Sequence, residues 1–151
     1  MSDSDTQAFR RAVVALNGGP SDARLVRLVV GLAAKGAEVI AVHVVEIDWT
    51  LPLDADIAGR SEEVQRVLDT AEAIAEQRRV VMESVLLQAR DVGAALVDEA
   101  TERAADLLIV GLPYRQRFGG DFDTGRTIPY ILQNAPCTVW VVREPMSEEP
   151  A

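Results

Sequence analysis

Strands that alternate with helices along the whole chain predict an α/β fold, a single open five-stranded parallel sheet with helices on both faces. Two further observations agree. The runs from Val39 to Val45 and from Leu107 to Val110 are almost unbroken in apolar residues, which is how strands covered on both faces read. The first and fourth apolar runs also end in glycine-bearing turns, Asn17-Gly18-Gly19 and Gly111-Leu112-Pro113. Parallel strands present ligand sites at such C-terminal edges.

Taken in order, residues 1–7 are polar and are expected to fray, and residues 8–144 form one domain. Ala12 to Leu16 is a short apolar strand that stops at Asn17-Gly18-Gly19-Pro20, a turn signal. Ser21 or Asp22 is expected to cap a helix whose inward stripe is Leu25, Leu28, Val29 and Leu32, ending after Lys35 at Gly36. Val39 to Val45 is the second strand. The connection from Ile47 to Gly59 carries two prolines and several acids and shows no clear period. Ser61-Glu62-Glu63 opens a second helix with acids at its positive end, and Val64, Val67, Leu68, Ala71 and Ile74 form its stripe as far as about Arg79. Val80 to Leu87 is the third strand. Asp91 caps a third helix with Val92, Leu96 and Ala100 inward. The fourth strand, Leu107 to Val110, opens into a long loop from Gly111 to Thr124. Thr127 to Gln133 is a short helix and Thr138 to Val142 the last strand. Residues 145–151 form an acidic flexible tail. Both a 2-1-3-4-5 and a 3-2-1-4-5 strand order fit this alternation.

The 151 residues suit one domain, long enough to bury roughly 70% of the unfolded surface. A net charge of -9 disfavours non-specific attraction to nucleic acid or anionic lipid. No apolar run reaches the ~18 residues of a membrane span, and the start lacks the apolar core of a signal peptide. With one cysteine, Cys137, the chain has no internal disulfide and fits a reducing compartment; the expected location is cytoplasmic.

Catalytic signals are weak. The single histidine, His43, lies inside an apolar strand and reads as a hydrogen-bonded core or strand-end residue rather than a base. Cys137 reads as a small packed apolar group, and no zinc-ligand spacing exists. Asp121 and Asp123 form an acidic loop pair, the one candidate to hold Mg²⁺ through a nucleotide; no metal is expected without one. Binding signals are stronger. In a 3-2-1-4-5 sheet the winding reverses between strands one and four, where ligands sit. Gly18, Gly19 and Gly111 would let backbone approach a ligand. A helix starting near Gly125 points free N–H groups at an anion, and Arg115, Arg117 and Arg126 carry guanidinium forks suited to phosphate. The same arginines are equally suited to pairing with Asp121 and Asp123.

The segments Val13-Val14-Ala15-Leu16-Asn17-Gly18, Ala41-Val42-His43-Val44-Val45-Glu46, Ala105-Asp106-Leu107-Leu108-Ile109-Val110-Gly111 and Ala135-Pro136-Cys137-Thr138-Val139-Trp140-Val141-Val142 resemble, in order and spacing, the universal stress proteins. The resemblance runs from about Arg11 to Arg143. It implies a 3-2-1-4-5 sheet of the adenine nucleotide alpha hydrolase type. It implies a stress-responsive regulatory homodimer joined through Val139, Trp140 and Val141 of the last strand. It also implies ATP or another adenine nucleotide as ligand; taken with the residue reading above, the candidate binding residues are Asn17, Gly18, Gly19, Val42, Gly111, Arg115, Arg117, Gly125, Arg126 and Thr127. Nucleotide-binding members follow the fourth strand with Gly-x-x-Gly, nine residues, then Gly-Ser or Gly-Thr. Here Gly111 matches the first glycine and Tyr114 replaces the second. The loop to Gly125 is one residue longer, and Arg126 replaces the hydroxyl residue. Asn17 stands where an aspartate usually lies near adenine. Gly111-Leu112-Pro113-Tyr114-Arg115 and Gly125-Arg126-Thr127-Ile128-Pro129-Tyr130 also resemble universal-stress-like domains attached to amino-acid permeases, which implies a transporter as protein partner. Three functions remain: a non-catalytic regulator with an altered nucleotide or anion site, a ligand-free interaction module whose crevice Tyr114 fills, and a slow nucleotide hydrolase using Asp121 or Asp123.

Overall fold

The computed structural model describes residues 8–54, 60–112 and 125–145. The expectations for Tyr114, Arg115, Arg117, Asp121, Asp123 and Thr124, and for both tails, lie outside these residues. Nine elements alternate: β1 (Arg11–Leu16), α1 (Asp22–Leu32), β2 (Glu38–Glu46), α2 (Arg60–Gln77), β3 (Val81–Ala89), α3 (Val92–Glu102), β4 (Leu107–Leu112), α4 (Thr127–Asn134) and β5 (Thr138–Arg143). The sheet is wholly parallel in the order β3-β2-β1-β4-β5. This settles the strand order in favour of 3-2-1-4-5.

Period-2 alternation divides the core into two layers. Val14, Leu16, Val39, Ala41, Val45, Leu107 and Ile109 pack under α1 and α2. Val13, Ile40, Val42, Val44, Leu108 and Val110 pack under α3 and α4. β2 is buried along its length except at Glu38 and Glu46, as its unbroken apolar run predicts. Phe9, just before β1, is also fully buried and anchors the start of the domain.

α1 departs from its predicted face. Its buried residues are Leu25, Val26, Val29 and Val30, while Leu28 and Leu32 are exposed. Both stripes have helical spacing, and packing against α2 and β1 selects the one that is richer in β-branched residues. The helix ends at Leu32, and Gly36 adopts its left-handed φ of 88° in the turn that follows. At α3 the predicted cap forms: the Asp91 carboxylate accepts from the Ala94 N–H at 3.0 Å.

The irregular stretch after β2 is ordered by one arginine. Arg90, just past β3, donates to the carbonyls of Asp48 (2.6 Å) and Leu51 (2.8 Å) and lies 5.0 Å over the Trp49 ring. At the opposite end of the sheet, the Asp106 carboxylate accepts from the Arg10 and Arg11 N–H groups. Arg103 there pairs with Glu99 at 2.8 Å and with Glu83.

Candidate functional site

The β1–β4 ladder ends at Val14 and Ile109, whereas the β1–β2 ladder continues to Leu16 and His43. Beyond Val14 the two central strands are no longer paired, at the point where the winding reverses. A crevice forms in such a place because nothing in the sheet closes it. A cavity of about 610 Å³ opens on the β2 side of this gap, across the C-terminal ends of β1 and β2 and against the start of α2. Asn17 and Gly18 line it from β1, and His43 to Glu46 from β2. Glu63, Val64, Arg66 and Val67 close it from α2. A smaller cavity of about 260 Å³ between α1 and α2 shares Arg66 and Val67.

The turn after β1 is held by its own side chains. The Asn17 and Gly18 N–H groups donate to the two oxygens of Asp22, at 3.1 and 2.8 Å. The Gly19 N–H donates to Asn17 Oδ1 at 2.7 Å. Ser21, the residue before α1, makes no side-chain cap, so the expected helix cap is replaced. Asp22 turns its carboxylate back to the preceding loop, where two amides converge. Gly18 has φ 82°, a left-handed conformation that glycine adopts without steric cost.

Burial pushes the Asp22 carboxyl above its ordinary value, against the opposing pull of the Asn17 and Gly18 N–H donors and of His43. Burial likewise pushes His43 below its ordinary value, opposed by Asp22. His43 is 8% exposed, and its Nδ1 has no hydrogen-bond partner among the described residues. The histidine is therefore a buried core residue of β2, one of the settings expected, and its Nδ1 makes no hydrogen bond to a described residue.

The predicted site residues separate into groups. Asn17 and Gly18 line the cavity, and Gly19 completes their turn. Val42 does not reach it: at 0% exposed it lies in the core under α3. Val44, one pleat further along the same face, takes the lining position at the strand end. Gly111 is the next-to-last residue of β4, paired with Val142. A Cβ there would meet Leu25 at only 3.7 Å, an ordinary contact, so close approach does not demand glycine. Gly125 has φ 61° and leads into Arg126 and Thr127 at the start of α4. The Arg126 guanidinium lies 3.7 Å from the Glu46 carboxylate, which brings the N-terminus of α4 to the rim of the crevice. Pro129 has no N–H, so Thr127 and Ile128 supply the donors of the first turn.

Sequence reading missed Asp22, Glu46, Glu63 and Arg66. Glu46 was findable as the residue that closes β2. Glu63 and Arg66 were findable only by asking which end of α2 faces the strand termini.

An open parallel sheet whose winding reverses between β1 and β4 defines the class as a doubly wound α/β domain. The family model of the universal stress proteins matches residues 8–143, and the chain belongs to that family. It is 32% identical over 140 residues to the sensor protein KdpD of Mycobacterium tuberculosis (strain CDC 1551 / Oshkosh). That match covers 92% of this chain and 15% of the sensor, so the chain spans about 15% of the length of this relative. A universal stress protein in complex with cAMP superposes with a TM-score of 0.66 at 21% identity, covering 90% of this chain and 98% of the other. The universal stress protein from Archaeoglobus fulgidus in complex with dAMP gives 0.66 at 21% identity, with coverages of 87% and 96%. At that identity these two structures establish the common fold.

Proposed function

We propose that the chain is a non-catalytic, homodimeric regulatory protein of the stress response. It would act in the cytoplasm and respond to a nucleotide held in the crevice between β1 and β2. The observation that carries this reading is the 610 Å³ cavity at the C-terminal ends of β1 and β2, large enough for a nucleoside monophosphate. Val44, Val45, Val64 and Val67 give it apolar walls suited to a base. Arg126 and the α4 N-terminus at the rim offer the positive end that a phosphate needs. Relatives of the same fold in complex with cAMP and dAMP support ATP or another adenine nucleotide as the class of ligand.

Calorimetry and thermal melting with a panel of purine mono- and triphosphates test the proposal. A ligand present at 100 times its Kd should stabilise the fold by about 2.7 kcal/mol. Absence of both heat and a melting shift at millimolar nucleotide would remove the ligand from the reading. In that case the second reading stands, an interaction module for a protein partner such as a transporter. It is favoured by the apolar group Trp49, Leu51 and Leu53 on the loop after β2, with Trp49 80% exposed.

A further inference from the structure

The polar residues that line the large crevice divide into those the chain has already engaged and those it leaves open. Asn17 Oδ1 accepts from the Gly19 N–H at 2.7 Å, and the Glu46 carboxylate lies 3.7 Å from the Arg126 guanidinium. His43 is uncharged near neutral pH, because burial pushes its pKa below the ordinary value. Two charged side chains on α2 remain, Glu63 and Arg66. They stand at i and i+3, close enough to meet. Yet they form no ion pair with each other or with any other described residue.

Arg66 is the one cation among the described residues that line the crevice. Its guanidinium carries donors in a fork that fits phosphate oxygens, and none of them is committed to a described residue. The same side chain borders the smaller cavity between α1 and α2. There the other charged group is the Asp22 carboxylate, set among Leu16, Pro20, Ala23 and Val26, and a carboxylate repels a second anion. Arg66 therefore meets an anion on the crevice side. Arg126 approaches from α4, but Glu46 shares its charge, whereas Arg66 has no partner to give up. Without Arg66 the described lining would hold two carboxylates, Glu46 and Glu63, and no cation. Such a wall disfavours a phosphate.

We infer that Arg66 is the principal phosphate contact of the crevice, with Arg126 and the α4 N-terminus auxiliary at the rim, and that it makes the site select a nucleotide over its nucleoside. This rests on the nucleotide reading and adds the side from which the phosphate is held, α2. Calorimetry on the full chain with AMP and adenosine tests it, because the two ligands differ only in the phosphate. The wild type should bind AMP about ten- to a hundredfold more tightly than adenosine, the range of a charged hydrogen bond. Arg66→Gln should remove that preference and bind adenosine as the wild type does. Arg66→Lys, which keeps the charge but not the fork, should fall between. Arg126→Gln should lower AMP affinity by no more than about threefold. The melting temperature of unliganded Arg66→Gln should match the wild type, since the side chain has no bond to a described residue to lose. An unchanged preference for AMP in Arg66→Gln, a larger loss in Arg126→Gln, or a wild type that binds the two ligands alike would overturn the role of Arg66 while leaving the nucleotide reading in place. Failure of both AMP and adenosine to bind the wild type would overturn the two together.

Discussion

His43 has its Nδ1 buried and unpartnered among the described residues, and an unsatisfied polar atom of that kind costs about 1–3 kcal/mol. Removing it leaves the β2 backbone ladder intact, because the strand register with Leu16 and Leu86 depends on main-chain groups. The pH dependence follows from the direction of its shift. The folded pKa lies below the ordinary 6.5, so between these values the unfolded chain binds the proton more readily. The contribution of this residue to stability is therefore present above pH 6.5 and is lost as pH falls through that value to the folded pKa. Asp22 has the opposite sense: its folded pKa lies above 3.8, so stability from this group declines as pH rises from 3.8 to the folded value. Denaturant titrations at pH 7.5 and 5.5 should show His43→Leu losing less stability on acidification than the wild type. An equal loss in the two proteins would show that His43 does not titrate in this window.

At the scale of elements, β2 and α4 meet through one weak contact, Glu46 with Arg126 at 3.7 Å. Both side chains are well exposed, so the pair contributes little to stability, but Glu46 competes with an incoming phosphate for the same guanidinium. Glu46→Gln should raise the affinity for a nucleoside monophosphate by about two- to fivefold at low salt. The gain should shrink above ~0.5 M salt, where the Debye length falls to a few ångströms. Unchanged affinity in a low-salt titration would place the phosphate away from Arg126. The fold was legible at this scale because its strands are apolar runs with turn signals at fixed places; all five strands and four helices were expected near where they lie. What failed was rotation about an axis. Leu28 and Val26 compete for the same helical face, and only packing against α2 decides between them. The site was half legible. Asn17, Gly18 and Arg126 could be named because they flank strand and helix ends. Asp22 read as a cap, since a carboxylate at a helix start has two sets of amides to choose from. Val42 was placed one pleat too deep, because an unbroken apolar run gives no mark of where burial ends.

For the molecule as a whole, the open question is the edge of the sheet. β5 is the outer strand beyond β4, six residues without proline, with no further strand beside it among the described residues, and an edge of this kind invites pairing with another chain. Val139 and Trp140 are half-buried, and Val141 is 38% exposed, so the strand carries apolar surface where a solvent-facing edge would carry charge. Two copies of β5 related by a two-fold axis would pair antiparallel and join two five-stranded sheets into one, with Val141 in the contact of each protomer. A single substitution is then felt twice, once from each copy. Val141→Arg places two like charges near the axis and desolvates both on association, which together should weaken the dimer by tenfold or more. The crevice lies at the ends of β1 and β2, so nucleotide affinity per protomer should stay within about twofold. Sedimentation velocity across a concentration series, with calorimetry on the same samples, separates the two effects. A wild-type chain that remains monomeric at about 100 µM, or a Val141→Arg variant that dimerises as well as the wild type, would show that β5 is not the interface.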